Sequence, residues 1–181
     1  MKAPSSPPSL KARALQWLAQ REHSRIELRR KLLRVVRVAA LVDGARIDTR
    51  VDDGDADRVV DRVADRAASE AEVDALLDWL TAQRYLSEAR FVEARIHARA
   101  GRFGNLRINH ELAQHGTRLD ALSAERLKHS EFERAKAVWS RKFGGTPAAD
   151  AAERAKQMRF LAGRGFSTEV ILKLVRGHHD G

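Results

Sequence analysis

Arg25, Arg29, Arg30 and Arg34 fall within ten residues of a segment that also carries Leu28 and Leu32. Guanidinium groups grip carboxylates and phosphates through forked, charge-assisted hydrogen bonds, so the chemistry on offer is anion recognition. Arg30, Arg34 and Arg37 recur at i, i+4 and i+7 and so share one face of a helix. Leu28 and Leu32 recur at i and i+4 on roughly the other side, as a core-facing stripe requires. Arg95, Arg99, Arg102 and Arg107 form a second cationic group, and Arg164 marks a third. A solvated helix surface is the competing reading of each arginine taken singly, so the candidate is the ridge rather than any one side chain. Phe103, in Gly101-Arg102-Phe103-Gly104, is the one ring placed to stack beside such cations, with packing of a helix junction as its plainer role.

Other chemistries are excluded by spacing. His110 and His115 are five apart, about 140° around a helix, whereas a helical zinc pair needs i and i+4. Asp52, Asp53, Gly54 and Asp55 lack the ligand spacing and closing Glu of a calcium loop. His178-His179-Asp180 reads as a frayed polar end. There is no phosphate-cradling glycine motif. With 0 Cys, thiol chemistry and disulfides are absent. The expectation is a non-enzymatic protein without cofactor or metal.

The net charge of +9 is unevenly spread. Residues 43–74 hold eleven acids and five arginines, a net of −6, which leaves +15 on the rest. Such polarity is the footprint of a protein that meets nucleic acid or an acidic protein surface. No run of apolar residues is long enough to span a membrane. The start of the chain has Pro and Ser where a secretory peptide would be apolar, so a cytoplasmic location is expected.

Helices must position these residues. From Ser9 to Thr146 there is no proline, and Ala, Leu, Arg and Glu dominate. Residues 1–8 read as a disordered arm and 178–181 as a tail. Helices are predicted over 10–20 and 25–41, the second opened by a Ser24/Glu27 capping box. A third starts at a Ser69/Glu72 box and a fourth at Ser87. The rest lie over 106–115, 119–128, 132–143, 149–162 and from Ser167. The acidic insertion 42–69 reads either as a helical extension or as a mobile loop. Ile108-x-x-x-Leu112-x-x-x-Gly116 with Leu122 beyond it parallels Leu161-x-x-x-Gly165 with Ile171. Leu28 and Leu32 take the matching places in a first copy, and Trp17 pairs with Trp139 in the opening helices. Trp17, Phe91, Trp139, Phe160 and Phe166 all read as core. The prediction is all-α: three tandem three-helix repeats, over 9–86, 87–130 and 131–177, stacked into an elongated, curved array. A monomer is expected.

Four short motifs in order resemble the signatures of the RecX family. They are Arg21-Glu22-His23-Ser24-Arg25-x-Glu27-Leu28-x-x-Lys31-Leu32 and Tyr85-Leu86-Ser87-Glu88-x-Arg90-Phe91. The later two are Arg107-Ile108-x-x-Glu111-Leu112-x-x-x-Gly116 and Arg159-Phe160-Leu161-x-x-Arg164-Gly165-Phe166-Ser167. The chain departs from that family at Thr117, usually aliphatic, at Asn105, commonly proline, and at Arg95, frequently aromatic. The resemblance implies a bacterial regulatory protein of tandem three-helix repeats. It would bind the RecA–DNA filament and inhibit its recombinase, ATPase and coprotease activities, with a part in DNA repair and the SOS response. The rival reading is a direct DNA-binding protein such as a helix-turn-helix regulator. Partner-contact candidates are Arg25, Arg29, Arg30, Arg34, Arg95, Arg99, Arg102, Arg107 and Arg164.

Overall fold

The computed structural model describes residues 8–45 and 55–176, with side chains given outside 42–45 and 55–64. Helices α1 (Leu10–Gln20), α2 (Arg25–Ala45), α3 (Asp55–Ala82) and α4 (Glu88–Ala100) are followed by α5 (Asn105–Gln114), α6 (Ala121–Phe143), α7 (Ala151–Gly163) and α8 (Thr168–Val175). No strand occurs among the described residues. The chain divides into two compact units between Glu88 and Ala89. The predicted arm, apart from Pro8, the tail and the loop around Asp52–Asp53–Gly54 lie outside the described residues.

In the first unit, Leu28 and Leu32 of α2 are fully buried against Val73, Leu77 and Leu80 of α3, joined by Ala14 of α1 and by Leu86. Val73, Leu77 and Leu80 recur at i, i+4 and i+7, so one stripe of α3 faces one stripe of α2. Ser24 caps α2 by accepting from Glu27 N–H at 3.1 Å. The reciprocal half of the predicted box is replaced, because the Glu27 carboxylate bonds the Arg21 guanidinium. Ser69 is not a helix start. Its hydroxyl donates to the Asp65 carbonyl within α3, which begins at Asp55. Over 55–69 the insertion is therefore the helical extension rather than a loop. Nothing in Asp65 to Glu72 stops a helix; Ser and Asp are tolerated inside one when flanking Ala residues favour it.

The second unit holds two cores. Phe91 and Val92 of α4 meet Ile108 and Leu112 of α5 and Leu127 of α6. Ala135, Val138 and Trp139 of α6 meet Leu161 of α7, Phe166, and Ile171, Leu174 and Val175 of α8. The two helices predicted over 119–128 and 132–143 are thus one, α6, which serves both cores. Lys128-His129-Ser130-Glu131 contains no Gly or Pro to break it, and the count among the described residues is eight rather than nine.

Glycines at two turns are required by geometry. Gly116 and Gly165 have φ of 69° and 78°, the left-handed state that ends a helix in a Schellman turn. The turns match: Thr117 N–H reaches Leu112 O at 3.1 Å, and Phe166 N–H reaches Leu161 O at 3.3 Å. Thr117 also donates its hydroxyl to Leu112 O at 3.1 Å, so a buried polar residue stands where an aliphatic one was expected without leaving its hydroxyl unpaired. Leu122, paired with Ile171 by the repeat, is 62% exposed, and Leu127 fills that core instead.

The α4–α5 loop docks on the α7–α8 turn. Gly104 N–H donates to Arg164 O and Leu106 N–H to Gly165 O, each at 3.0 Å.

Candidate functional site

The acidic stretch of α3 neutralises part of the α2 arginine row. Arg29 straddles Asp74 with a forked pair at 2.7 and 2.9 Å and reaches Glu70 at 3.3 Å. Arg25 pairs with Asp78 at 2.7 Å. Hydrogen bonds from Arg29 hold the Asp74 carboxyl below its usual range, and those from Arg66 and Arg29 do the same for Glu70. Arg30, Arg34 and Arg37 point away from α3, are exposed, and form no ion pair among the described residues. The α2 row is thus two faces: Arg25 and Arg29 face α3, while Arg30, Arg34 and Arg37 face solvent.

At the start of α2, His23 is buried, its Nδ1 3.2 Å from Glu27 Oε2 but without the geometry of a hydrogen bond. Burial pushes the His23 pKa down, the Glu27 charge opposing it. The Glu27 carboxyl is itself held low: burial works against its charge, and the Arg21 hydrogen bond with the charges of His23 and Arg21 outweighs it.

In the second unit the cations gather around two rings. Arg107, Arg99 and Arg102 lie 4.6, 5.6 and 5.9 Å from the Phe103 centroid, close enough for cation–π attraction. Arg99 also bonds Glu111 at 2.8 Å, and Arg107 reaches the same carboxylate at 3.6 Å. Arg95, in the position where an aromatic was expected, lies over Phe91 at 5.3 Å and contacts His115 Nε2 at 3.1 Å.

Beside this group is an open cavity of about 240 Å³ lined by Arg102, Val138, Arg141, Lys142, Phe160 and Arg164. Four of its six lining residues are cationic and none is acidic. Arg164 lies over Phe160, 4.5 Å from the ring centroid, and its Nε is buried without a hydrogen-bond partner among the described residues. Arg141 donates to Gly101 O at 2.7 Å. Half-buried Arg134 donates to Phe103 O at 2.8 Å and to Leu127 O at 2.9 Å. These two α6 side chains fix the loop that carries Arg102, and burial lowers the Arg134 pKa.

The predicted arginines therefore separate. Arg102 and Arg164 converge on one cavity, Arg99, Arg102 and Arg107 on one ring, and Arg25 and Arg29 on carboxylates of α3. Sequence reading missed Arg141 and Lys142, whose place in the last turn of α6 suits ordinary pairing with the helix dipole. Phe160, read as core, is partly buried against the third core and Phe143 and also lines this cavity under Arg164. The signal that could have found Arg141 and Lys142 is the pair of cations three and two residues before Gly144-Gly145, one helix away from Arg164. The arrangement offers forked, charge-assisted hydrogen bonds to an anion. Among the described residues no group of three or more His, Asp or Glu is placed to hold a metal. No helix of the described residues is long and apolar enough to cross a membrane.

Comparison with known proteins accords with this architecture. Residues 129–175, which span the second half of α6 with α7 and α8, match the family model described as "RecX, third three-helix domain". The protein named regulatory protein RecX of Ralstonia nicotianae is 44% identical over 179 residues, covering 98% of this chain and 92% of the relative. Its namesake in Leptothrix cholodnii is 42% identical over 177 residues, 95% of this chain and 92% of the relative. That of Pseudomonas fluorescens is 36% identical over 168 residues, 91% of this chain and 88% of the relative. With tandem three-helix modules and similarity running through nearly its whole length, the chain belongs to the RecX family of regulatory proteins.

Proposed function

We propose that this protein is a non-enzymatic, cytoplasmic regulator that binds the RecA recombinase filament and suppresses its ATPase, strand-exchange and coprotease activities. The observation that carries this reading is membership of the RecX family over 98% of the chain. Supporting it is a set of cations without acidic partners among the described residues: Arg30 and Arg34 on α2, and Arg102 and Arg164 in the second unit. Lying along the filament, such cations would engage acidic groups of successive protomers. Binding one relative arrangement of protomers better than another draws the filament into it and opposes the motions that turnover needs. Arg25 and Arg29 act in this reading as struts between α2 and α3, and Arg95, Arg99 and Arg107 flank the contact surface.

The test is DNA-dependent ATP hydrolysis by the cognate recombinase, with and without this protein. Hydrolysis should fall at ratios below one inhibitor per protomer. Unchanged hydrolysis at stoichiometric ratios would remove the reading and leave a regulator of some other target.

A further inference from the structure

We propose that the cavity between α6, α7 and the α4–α5 loop is a binding site for the phosphodiester backbone of a nucleic-acid strand. Arg102, Arg141, Lys142 and Arg164 surround about 240 Å³ with no carboxylate among the lining residues. By contrast Arg29 has Asp74 and Glu70 beside it, and Arg99 and Arg107 share Glu111. Four like charges held together repel one another, and a bound polyanion removes that repulsion.

The site is also held ready. Arg141 is fixed by its bond to Gly101 O. Arg164 lies over Phe160, its guanidinium carbon 4.5 Å from the ring centroid, and its buried Nε has no hydrogen-bond partner among the described residues. No ion pair engages this guanidinium among the described residues, so its terminal N–H groups can donate to an incoming phosphate oxygen. Val138 and Phe160 add apolar surface to the lining, against which a sugar or base can rest.

Two features favour a strand over a free phosphate or an acidic protein. The cavity is open rather than enclosed, and Arg102 continues the charge outward to the Arg99, Phe103 and Arg107 group. A polymer of evenly spaced phosphates follows such a track, whereas a single small anion fills only its end. Carboxylate side chains on a protein surface are sparser and less deeply presented than backbone phosphates. This inference does not rest on recombinase binding, because it concerns the naked strand.

The experiment uses the full chain and a fluorescent oligothymidylate of about 16 nucleotides, the upper span of a single-strand-binding module. Anisotropy is followed across a salt series for the parent, for Lys142→Ala/Arg164→Ala, and for Lys128→Ala/Lys136→Ala, which removes equal charge elsewhere on α6. Losing two phosphate contacts should weaken binding about tenfold near physiological salt and lower the salt slope by about 1.4. The control pair should change both much less. Equal losses in the two double variants would overturn the site, leaving only diffuse charge. If the cavity variant does not fold, Lys142→Glu carries the same test, since that exposed side chain makes no bond among the described residues.

Two further arms separate other ligands. Pyrophosphate titrated by calorimetry, binding in a Lys142-dependent way while the oligonucleotide does not bind, would make this a small-anion site. Displacement of the oligonucleotide by polyglutamate at matching charge concentration would make it an acidic-protein site. Either result overturns the proposal.

Discussion

Gly104 and Gly165 meet backbone to backbone: a Cβ on Gly104 would lie 2.2 Å from the Gly165 carbonyl oxygen. One on Gly165 would lie 2.6 Å from Arg107 N, at a φ of 78° that side chains resist. Neither strand of this contact can carry a side chain while Gly104 N–H reaches Arg164 O and Leu106 N–H reaches Gly165 O. Gly104→Ala should therefore force the loop and the turn apart. The expected loss is about 1–3 kcal/mol, the usual cost of overpacking a closed contact. Urea unfolding followed through Trp139 fluorescence measures it. A loss below about 0.5 kcal/mol, the range of neutral surface changes, would show that the backbones part easily.

Glu131 is the buried carboxylate of the same junction. Its Oε1 accepts from Asn105 N–H at 2.9 Å and from Ser167 N–H at 3.2 Å, at the starts of α5 and α8. Proline, common at position 105 in the family resemblance, would remove the first donor. Glu131→Ala strands both N–H groups and should cost about 1–3 kcal/mol for each one left buried and unpaired. Glu131→Gln, which keeps one acceptor oxygen, should cost clearly less. Equal losses for the two variants would mean that packing, not hydrogen bonding, is what Glu131 supplies.

Acid should loosen the first unit. Asp74 and Glu70 have carboxyl pKa values below their unfolded values near 3.9 and 4.3, chiefly through hydrogen bonds from Arg29 and Arg66. A lowered carboxyl contributes stability above the unfolded pKa and loses it as pH falls through the folded one. Urea midpoints should accordingly drop below about pH 4, and Arg29→Ala should reduce the Asp74 share of that drop. Identical pH profiles with and without Arg29 would contradict this.

His23 gives a separate step at higher pH. Its folded pKa lies below the unfolded value near 6.5, so the unfolded chain takes up the proton first and stability falls as pH drops below about 6.5. The step should vanish in His23→Leu, leaving only the carboxylate step. Its persistence would assign it to another histidine.

Arg30 and Arg34 should be separable from Arg25 and Arg29 by phenotype. Arg30→Glu/Arg34→Glu should relieve inhibition of recombinase ATP hydrolysis with little change in thermal midpoint, because neither side chain pairs with a carboxylate among the described residues. Arg25→Glu/Arg29→Glu should lower the thermal midpoint, since it faces Asp78, Asp74 and Glu70 with like charge. If the two pairs exchange these effects, the division of α2 into two faces is wrong.

Helical spacing made Leu28, Leu32, Ile108, Leu112 and Leu161 legible as core, because a buried stripe follows from period alone. Gly116 and Gly165 were legible as helix ends for a similar reason, since the left-handed turn is written into residue type. Leu122 misled because matching positions across a repeat does not fix how far a helix has rotated by the time it meets its neighbour. The break expected between Lys128 and Phe132 does not occur, because the local sequence contains no Gly or Pro to make one. Arg29 could not be told from Arg30 by charge; only the docking of α3 decides which is paired. Arg141 and Lys142 gain their meaning from Arg102 and Arg164, and no local pattern announces a meeting of residues 22 to 40 positions apart.

On α6 the buried positions are Leu127, Glu131, Ala135, Val138 and Trp139, one unbroken stripe from the second core to the third. The helix is therefore a shaft that sets the phase between two neighbouring modules. Adding or deleting one residue between Leu127 and Ala135 would turn everything beyond it by about 100°, carrying Trp139 away from Leu161 and from Gln157, whose Oε1 accepts its indole N–H at 2.9 Å. Drift in chain length is thereby barred from this segment and left to the loops, so the spacing from Leu127 to Trp139 is a fixed measure within the chain.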